Sequence, residues 1–365
     1  MIIIDGSYGE GGGQILRTSL TLSAITGQPV RIERIRAGRR KPGLMPQHLT
    51  AVRAASRICN AEVEGAKRNS QALAFRPRSA PKAGTYTFDV AQAAKGGSAG
   101  SVSLILQTVL LPLALAEGSS QVTLLGGTHV AWSPPYDYVK RVYLPALARL
   151  GIAAKVTIKK WGWYPIGGGR FQAIVHGREP GTALQIPAES IASQVLRERG
   201  ALLRVRGLSG SSNLPRHIRT RQERAALQAL RSSGVNARIQ VVDAPSKGQG
   251  TVEFLWAEFE NISAGFTALG ERGKPAERVA AEAADRLLDF LHSDAALDRY
   301  LADQLVLPLA LAAGPSRFTT ETVTGHLLTN AWVVNRFFPG RVRVEGAEGQ
   351  PGSCRIEYEN GKPAA

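Results

Sequence analysis

A histidine at a strand-to-helix junction is the residue of this chain best placed for phosphoryl chemistry. It lies in the stretch Thr322-Val323-Thr324-Gly325-His326-Leu327-Leu328-Thr329-Asn330, in which a β-branched strand end and a glycine precede apolar residues at helical spacing. A helix start presents unpaired N–H groups and the positive end of the dipole, so it favours a bound phosphate. An imidazole there is a candidate nucleophile for phosphorus. Taken alone, the stretch favours the simpler role of capping or packing the helix.

Other polar residues collect at turns that precede helices, in three groups. The first group is Gly9-Glu10-Gly11-Gly12-Gly13-Gln14, Arg17, Arg36, Arg39, Arg40, Lys41 and Gln47. The second is Gly96-Gly97-Ser98-Ala99-Gly100-Ser101, Gln107, Thr128, His129 and Pro135. The third is Tyr300, Asp303, Gln304 and His326. Glycine-rich turns can bring backbone N–H groups close to phosphate, although tight packing explains them equally well and neither is a P-loop.

Two charged residues are harder to explain by packing. Arg17 and Asp303 are expected at helix starts in otherwise apolar surroundings, where an unpaired charge would be costly. Anionic ligands and a metal ion would satisfy them.

The elements that must position these residues form a unit that occurs three times. Each unit has a first helix that ends at a glycine, a strand, a small-residue turn, a second helix and a two-strand hairpin. The first helices are expected at Arg17–Gly27, Gln107–Gly118 and Gln304–Gly314, and the second helices at Pro46–Cys59, Pro135–Leu150 and Leu327–Phe338. A strand precedes the first helix at Ile2–Ile4, at Thr85–Val90 and near Ala183–Ile186. The pattern therefore predicts an α/β (α+β) fold in which three β-α-β-α-β-β repeats form one large domain.

The third repeat is interrupted by an insertion. Gln107 and Gln304 are 197 positions apart, whereas Arg17 and Gln107 are only 90 apart, and the difference suits a small domain better than a loop. We expect residues 1–187 and 295–365 to form the large domain and residues 188–294 to form a smaller inserted α+β domain. Nine arginines lie between Arg197 and Arg231, and they fit a solvated helix face as well as a surface for a phosphate backbone.

Composition narrows the class of protein further. A net charge of +16 and a pI of about 10.3 favour a polyanionic partner such as nucleic acid, an anionic membrane surface or a phosphorylated substrate. Two cysteines exclude a cysteine-rich metal site and favour a reducing compartment, so we expect a cytoplasmic location. The most apolar run, Leu104–Ala116, is too short to span a bilayer, and no signal peptide is recognised. We therefore expect the protein not to associate with a membrane.

The longer motifs resemble those of the RNA 3'-terminal phosphate cyclase family. The matching stretches are Gly9-Glu10-Gly11-Gly12-Gly13-Gln14-Ile15-Leu16-Arg17, Arg36-Ala37-Gly38-Arg39, Lys41-Pro42-Gly43-Leu44, Gln47-His48-Leu49-Thr50, Ser98-Ala99-Gly100-Ser101, Tyr300-Leu301-Ala302-Asp303-Gln304 and His326-Leu327-Leu328-Thr329-Asn330. They occur in the family's order and cover nearly the whole chain. The resemblance also implies three repeats with a smaller insert.

The resemblance implies an ATP-dependent ligase-class reaction in three steps. His326 takes AMP from ATP and releases pyrophosphate, an RNA 3'-phosphate takes the AMP from the histidine, and the vicinal 2'-hydroxyl then closes a 2',3'-cyclic phosphate as AMP leaves. Adenylation gives the phosphate a leaving group, and the hydroxyl is already held beside it.

The same resemblance assigns roles to individual residues. His326 is the covalent nucleophile, and Glu10 is the ligand of a divalent cation, Mg²⁺ or Mn²⁺. Positions near the phosphates and the RNA end correspond to Gln14, Arg17, Arg36, Arg39 and Gln47. Tyr300 and Pro135 would sandwich adenine, and the remaining ATP-binding positions are Gln107, Leu301, Ala302, Asp303 and Gln304.

Two other functions stay open on the sequence. A non-catalytic RNA-processing relative would share the motifs, but it would lack the histidine. An enolpyruvyl-transferase-like enzyme also repeats β-α-β-α-β-β units, but it would need no ATP. The expected partner is RNA with a 3'-phosphate end, and a homodimer is compatible with the sequence without any pattern that supports it.

Overall fold

The computed structural model of the protein describes residues 1–93, 98–181 and 185–358. Gly96 and Gly97 of the second glycine-rich turn, and Ala183 of the strand expected near Ala183–Ile186, lie outside the described residues. The fold class is the expected one: a mixed α/β (α+β) architecture whose described strands form four four-stranded sheets.

The first repeat builds sheet one and two helices. Its elements are β1 (Ile2–Asp5), α1 (Gly13–Thr26), β2 (Val30–Glu33), α2 (Pro46–Cys59), β3 (Glu62–Glu64) and β4 (Leu73–Arg76). The strand order is β1-β2-β4-β3; β1 and β2 run parallel, and the other neighbours are antiparallel.

The second repeat builds sheet two with the same order, β5-β6-β8-β7, and the same strand directions. Its elements are β5 (Thr85–Asp89), α3 (Val102–Ala114), β6 (Ser120–Gly126), α4 (Tyr136–Tyr138), α5 (Leu144–Arg149), β7 (Ala154–Lys160) and β8 (Gly169–Val175). A π-helical turn, Val139–Tyr143, joins α4 to α5.

A fourth sheet and two helices follow the two-residue strand β9 (Val195–Leu196). They consist of β10 (Leu202–Ser212), α6 (Arg216–Ser232), β11 (Ala237–Asp243), β12 (Gly250–Phe259), β13 (Ser263–Leu269) and α7 (Ala276–His292). These elements mix strands and helices, as the sequence predicted for an inserted α+β domain. The insert packs a separate small core, in which Phe266, Val279, Leu287 and Phe290 are buried together.

The third repeat resumes after α7 and completes sheet three with β9. Its remaining elements are α8 (Arg299–Ala310), β14 (Ser316–Thr320), α9 (Gly325–Phe337), β15 (Val342–Glu345) and β16 (Gly352–Ile356). The order β9-β14-β16-β15, with β9 and β14 parallel, repeats the topology of the first two sheets.

The first strand of the third repeat differs from the sequence expectation. Within the described residues, the first strand of sheet three is Val195–Leu196, which comes later than the strand expected near Ala183–Ile186. The sequence pattern could not indicate this strand, because two residues are too few to show a periodicity. The division of the chain at residues 188 and 294 stays a prediction.

The three first helices also begin earlier than expected. Arg17, Gln107 and Asp303 lie in the second turn of α1, α3 and α8, so Arg17 and Asp303 are not helix-start residues as the sequence suggested. The reason is that Gly12, Ser101 and Asp298 act as the N-cap residues and the helices continue through the polar positions.

The helices of the repeats meet in one apolar core, in which Leu16, Leu106, Leu305 and Val333 are buried. The helix starts, where the polar residues gather, therefore lie close together at the rim of this core. None of the described helices is long and apolar enough to cross a membrane.

Candidate active site

His326 is the second residue of α9, and its ring is accessible. Thr324 caps this helix because its Oγ1 accepts a hydrogen bond of 3.0 Å from the backbone N–H of Leu327. The side chain of His326 is 45% exposed. The structure therefore excludes a histidine packed into the interior, which was the simpler interpretation of the sequence.

Glu10 joins His326 to the first repeat. One carboxylate oxygen lies 2.5 Å from Nδ1 of His326, and the other lies 2.5 Å from a guanidinium nitrogen of Arg39. The loop that carries Glu10 is flanked by Gly9 and Gly11, whose φ angles of 53° and 58° explain why glycine occupies these positions. Three sequence-predicted residues, Glu10, Arg39 and His326, are thus in direct contact.

These contacts set the pKa values of the two groups in opposite directions. Burial alone would raise the pKa of Glu10, but hydrogen bonds and charge from His326 and Arg39 hold it below the ordinary value. Burial alone would lower the pKa of His326, but the hydrogen bond with Glu10 and the charge of Asp303 raise it. Because Nδ1 faces Glu10, the nitrogen left for another partner is Nε2.

A cleft of about 440 Å³, counted with its open mouth, lies between α1, α3, α8 and α9 and is lined mainly by polar residue types. Its lining consists of Gln14, Arg17, Thr18, Thr21, Gln107, Leu111, Tyr143, Asp303, Gln304, Leu307 and Asn330. Five of these residues were predicted from the sequence: Gln14, Arg17, Gln107, Asp303 and Gln304. All three repeats contribute to the cleft, as the repeated position of the polar residues suggested.

Hydrogen bonds between repeats hold the walls of the cleft together. The side-chain amide of Gln14 donates to Oδ1 of Asn330 at 3.0 Å, and Thr18 donates to the same oxygen at 2.7 Å. Across the cleft, Nε2 of Gln107 donates to Oε1 of Gln304 at 2.7 Å. Several residues that line the cleft are therefore positioned by partners from another repeat.

Arg17 is a buried cation that faces the cleft. Only 8% of the residue is exposed, and burial lowers its pKa to about 10. Its Nε has no hydrogen-bond partner among the described residues, although a terminal nitrogen donates to Gln14 at 2.5 Å. An anion in the cleft would supply the missing acceptor and offset the cost of burial.

Close packing beneath Arg17 explains another glycine of the first turn. A Cβ atom at position 13 would lie 2.5 Å from Nε2 of His48 and 2.9 Å from a guanidinium nitrogen of Arg17. His48 is itself buried, and burial followed by the charges of Arg36 and Arg17 lowers its pKa to about 3. His48 is therefore a neutral supporting residue.

Asp303 connects the cleft to the start of α9. Its Oδ1 accepts a short hydrogen bond from Oγ1 of Thr324, and its backbone oxygen accepts one of 2.8 Å from Asn330. Burial raises the pKa of Asp303 to about 7. Asp303 is therefore hydrogen-bonded to Thr324, the N-cap residue of the helix that carries His326.

Three residues of this network escaped the sequence analysis: Thr324, Asn330 and Asp298. Thr324 and Asn330 stood in the motif around His326 without a role. Asp298 is fully buried and accepts hydrogen bonds of 2.9 Å from the N–H groups of Tyr300 and Leu301 at the start of α8. An aspartate just before a helix is an N-cap signal. It was not recognised from the sequence because the start of this helix was placed at Gln304, six residues later.

The expected adenine site is only partly assembled by the structure. Tyr300 is 38% exposed, and its ring lies 6.2 Å from that of Tyr138, edge to face. Pro135 is the buried N-cap residue of α4 and is not part of the cleft lining. A sandwich of adenine between Tyr300 and Pro135 stays a prediction.

Leu301 and Ala302 do not reach the cleft. Both are fully buried in the core, and their backbone N–H groups bond to Asp298. Their side chains point into the interior because of the helix rotation, and their assignment as ATP-binding positions stays a prediction.

Two further predicted phosphate-binding residues are tied to backbone groups. One guanidinium nitrogen of Arg36 donates to the carbonyl oxygens of Lys41 and Gly43 at 2.8 and 2.9 Å. Oε1 of Gln47 accepts from the N–H of Ser101 at 3.1 Å, which joins the first repeat to the second. Their roles as ligands for phosphate stay predictions.

His129, which the sequence grouped with the polar residues of the second repeat's turns, is buried and does not line the cleft. The ring of His129 stacks on Trp161 at 4.1 Å, and the residue is 1% exposed. A substrate contact for His129 is therefore excluded by its burial.

A divalent cation fits this site only together with a ligand. The described residues include no group of three or more histidine, cysteine or acidic side chains that could hold a metal ion. Glu10 offers a hard, ionised carboxylate at the rim, and Mg²⁺ is commonly held by one or two carboxylates and the phosphates of a substrate. The donor chemistry of Glu10 therefore suits Mg²⁺ or Mn²⁺ bound with a polyphosphate.

Comparisons with known proteins agree with one another. The family model described as RNA 3'-terminal phosphate cyclase matches residues 8–344. A protein of that name from Methylococcus capsulatus is 51% identical over 366 residues, which cover 100% of this chain and 98% of the relative. Relatives of the same name from Gloeothece citriformis and Pyrococcus furiosus are 50% and 41% identical, over 92% and 98% of this chain and 93% and 98% of their own.

Proposed function

The chain belongs to the RNA 3'-terminal phosphate cyclase family, and on that premise we propose that it converts an RNA 3'-terminal phosphate to a 2',3'-cyclic phosphate at the expense of ATP. The observation that carries the proposal is the accessible ring of His326, which contacts Glu10 beside a cleft lined by Arg17; Glu10 in turn contacts Arg39. Nucleophile, carboxylate and guanidinium groups for a phosphate are thus within one site.

In the first step, Nε2 of His326 attacks the α-phosphorus of ATP. A nitrogen–phosphorus bond forms, the bond to the bridging oxygen breaks, and pyrophosphate leaves with the electron pair. Attack requires the neutral ring, so the proton that Glu10 favours on the imidazole must be released first. Glu10 keeps the ring oriented through Nδ1.

In the second step, an oxygen of the RNA 3'-phosphate attacks the adenylyl phosphorus and breaks the bond to His326. In the third step, the 2'-hydroxyl attacks the 3'-phosphorus, loses its proton and expels AMP. Arg17, Arg39 and the N-terminal end of α9 supply positive charge for these phosphates. A divalent cation held by Glu10 and the phosphates would neutralise the charge of the triphosphate.

The test is covalent labelling with ATP in the absence of RNA. We expect ATP labelled at the α-phosphate to leave an acid-labile adenylyl group on the protein, located at His326 by mass spectrometry. His326→Asn should abolish the label, because the amide keeps a polar side chain without nucleophilicity. His217→Asn, which changes an exposed histidine on α6, is the matched control and should label like the unaltered protein.

A protein that never labels, or a His326→Asn variant that still does, would reject the proposed mechanism. RNA carrying a 3'-phosphate completes the assay: its end should become resistant to phosphatase only when ATP is present. Conversion without ATP would contradict the reaction as written.

A further inference from the structure

The three repeats expose one face of each sheet to solvent, and the charges on these faces differ. On sheet one, Arg31 pairs with Glu33 at 2.7 Å, and Arg76 pairs with Glu64 at 2.6 Å. On sheet three, Glu345 lies 3.8 Å from Arg317 and 3.2 Å from Arg355. Both faces therefore contain carboxylates that neutralise their own arginines.

The outer face of sheet two carries cations without such partners. Lys155, Lys159, Lys160 and Arg170 lie on the hairpin of β7 and β8, and within the described ranges none of them has a carboxylate within 4 Å. Lys160 stands directly opposite Arg170 in the ladder, an arrangement of like charges that is unfavourable without an anion. Among the described residues, Asp89 is the one acid on the strands of this face; it ends β5 and accepts a hydrogen bond from the N–H of Ala91.

The sequence of the second repeat shows the same bias. Eight basic residues and one acidic residue occur between positions 119 and 178; they are Lys140, Arg141, Arg149, Lys155, Lys159, Lys160, Arg170, Arg178 and Asp137. Asp137 is only 5% exposed, so it does not offset the surface charge. The excess suits a polyanion.

Two aromatic side chains are exposed on the tip of this hairpin and on the loop beside it. Tyr164, in the turn between β7 and β8, is 79% exposed. Trp132, in the loop between β6 and α4, is 96% exposed, and its φ of 63° is an unfavourable conformation for a bulky residue. The chain thus holds a large aromatic ring in water at a cost in backbone energy.

The loop of Trp132 is fixed to the hairpin tip. The N–H groups of Thr128 and His129 donate to the carbonyl oxygen of Gly162 at 2.9 and 3.2 Å, and the ring of His129 packs on Trp161 and Trp163. The loop that carries Trp132 and the hairpin that carries Tyr164 are therefore joined directly, and the buried His129 lies at their junction.

The tip lies at the end of sheet two that leads to the cleft. The parallel strands β5 and β6 both end there, and a bridge between Ser101 and Gly127 joins their loops where α3 begins. Gln107 of the cleft lies in the second turn of α3. A chain that leaves the cleft can therefore pass the tip before it reaches the cations.

We propose that the outer face of sheet two, with the tip formed by Trp132 and Tyr164, binds the single-stranded RNA that precedes the reacting 3'-end. Bases stack on the two rings, and backbone phosphates pair with Lys155, Lys159, Lys160 and Arg170. From Lys155 to Lys159 the strand spans about 13 Å, roughly the length of two nucleotides. This inference rests on the proposed function, which supplies the RNA.

The arginines of the insert are a weaker candidate for the same role. Arg204 pairs with Glu258, Arg219 with Asp243 and Arg221 with Glu277. Arg199 donates to the carbonyl oxygens of Phe290, Leu291 and Ala295. These side chains are occupied within the fold, which removes much of the phosphate-binding surface that the sequence suggested.

The first experiment measures the affinity for RNA without ATP, so that no turnover occurs. Fluorescent single-stranded RNAs of 20 and 4 nucleotides, each with a 3'-phosphate, are titrated at several salt concentrations. The triple variant K155Q/K159Q/R170Q should bind the 20-mer more weakly and lower its logarithmic salt slope by about 2, with little change for the 4-mer. The control R224Q/R231Q/R238Q removes the same charge from exposed positions of the insert.

An unchanged slope in K155Q/K159Q/R170Q, or an equal fall in the control, would overturn the inference. An equal fall in the control would indicate that the arginines of the insert also bind the RNA backbone.

The second experiment separates stacking from charge. Trp132→Asn should weaken binding of the 20-mer by about tenfold without changing the salt slope, and asparagine tolerates the positive φ of this position. Trp132→Phe should recover part of the affinity because an aromatic face remains. Equal affinity in all three proteins would show that the ring does not contact RNA.

Labelling with ATP alone distinguishes this inference from the proposed function. The variants of sheet two and of Trp132 should still take AMP onto His326, because neither surface lines the cleft. If the unaltered protein binds the 20-mer through sheet two but never labels, the proposed function fails and the RNA surface stands. If it labels but binds both RNAs alike, only the RNA surface fails.

Discussion

Asp298, at the start of α8, and Glu253, on β12 of the insert, are both completely buried carboxyl groups. Asp298 accepts hydrogen bonds from Tyr138, Gly265, Tyr300 and Leu301, which belong to the second repeat, the insert and the third repeat. Neither oxygen of Glu253 has a hydrogen-bond partner among the described residues. Equal burial thus produces a junction of three parts of the molecule in one case and an unsatisfied group in the other.

The pKa values of the two groups reflect this difference. Burial raises the pKa of Asp298 to about 7, although its hydrogen bonds oppose the rise. Burial raises the pKa of Glu253 to about 8; polar groups of Ser209 and Gln222 offset it only in part, and Glu223 adds repulsion. Asp298 is held by several hydrogen bonds, whereas Glu253 has none from the described residues, so replacing each by its amide should affect stability differently.

The largest effect is expected from Asp298→Ala. It leaves three backbone N–H groups and the hydroxyl of Tyr138 without their acceptor, so we expect a loss of about 3–5 kcal/mol in the free energy of unfolding. Labelling with AMP should also fall, because the start of α8, with Tyr300 and Asp303, loses its cap. Urea unfolding and the labelling assay measure the two effects.

Asp298→Asn sharpens the comparison, since it preserves shape and one acceptor oxygen. Its amide nitrogen would face the N–H of Gly265, so a smaller loss of about 1–3 kcal/mol is expected. If either variant unfolds at the same urea concentration as the unaltered protein, Asp298 is not the junction described above.

Glu253→Gln should act in the opposite direction, and its effect should depend on pH. The folded pKa of about 8 lies above the ordinary value of 4.5, so the folded state keeps a proton that the unfolded state loses between these values. The stability of the unaltered protein therefore falls as the pH rises from 4.5 to 8. Glutamine cannot ionise, so the variant escapes this loss.

We expect the variant to gain on the order of 3 kcal/mol relative to the unaltered protein between pH 5 and pH 8. Urea unfolding of both proteins at the two pH values gives this difference directly, and the contributions of Asp298 and Asp303 cancel in it. A relative stability that does not change with pH would show that Glu253 is solvated or paired in solution.

This contrast also marks what the sequence could predict. Local signals located α2 at Pro46–Cys59, because a proline can open a helix and an asparagine can end it in the left-handed conformation. Spacing located the three repeats and the insertion in the third, and the motif placed His326 at a helix start. These features depend on neighbouring residues or on a repeated pattern.

The remaining features depend on contacts between distant parts of the chain. The bond from Gln14 to Asn330 and that from Tyr138 to Asp298 join residues 316 and 160 positions apart, and nothing local signals such a partner. The burial of Leu301 and Ala302 follows from the rotation of α8 against the core, which an apolar helix does not fix by itself. For the same reason Glu253 looked like an ordinary strand residue.

The smallest effect is expected at Thr324, where the network of the site reaches the helix of His326. Its hydroxyl donates to Asp303 and accepts from the N–H of Leu327. Thr324→Ala therefore removes the N-cap of α9 and also the donor to the carboxyl group of Asp303. We expect a loss of about 1 kcal/mol in stability, typical of an N-cap. AMP labelling should fall more than this loss explains, because the start of α9 carries the proposed nucleophile. Thr324→Ser keeps the hydroxyl and should restore both properties, whereas a serine variant as slow as alanine would indicate that the methyl group, not the hydrogen bonds, positions His326.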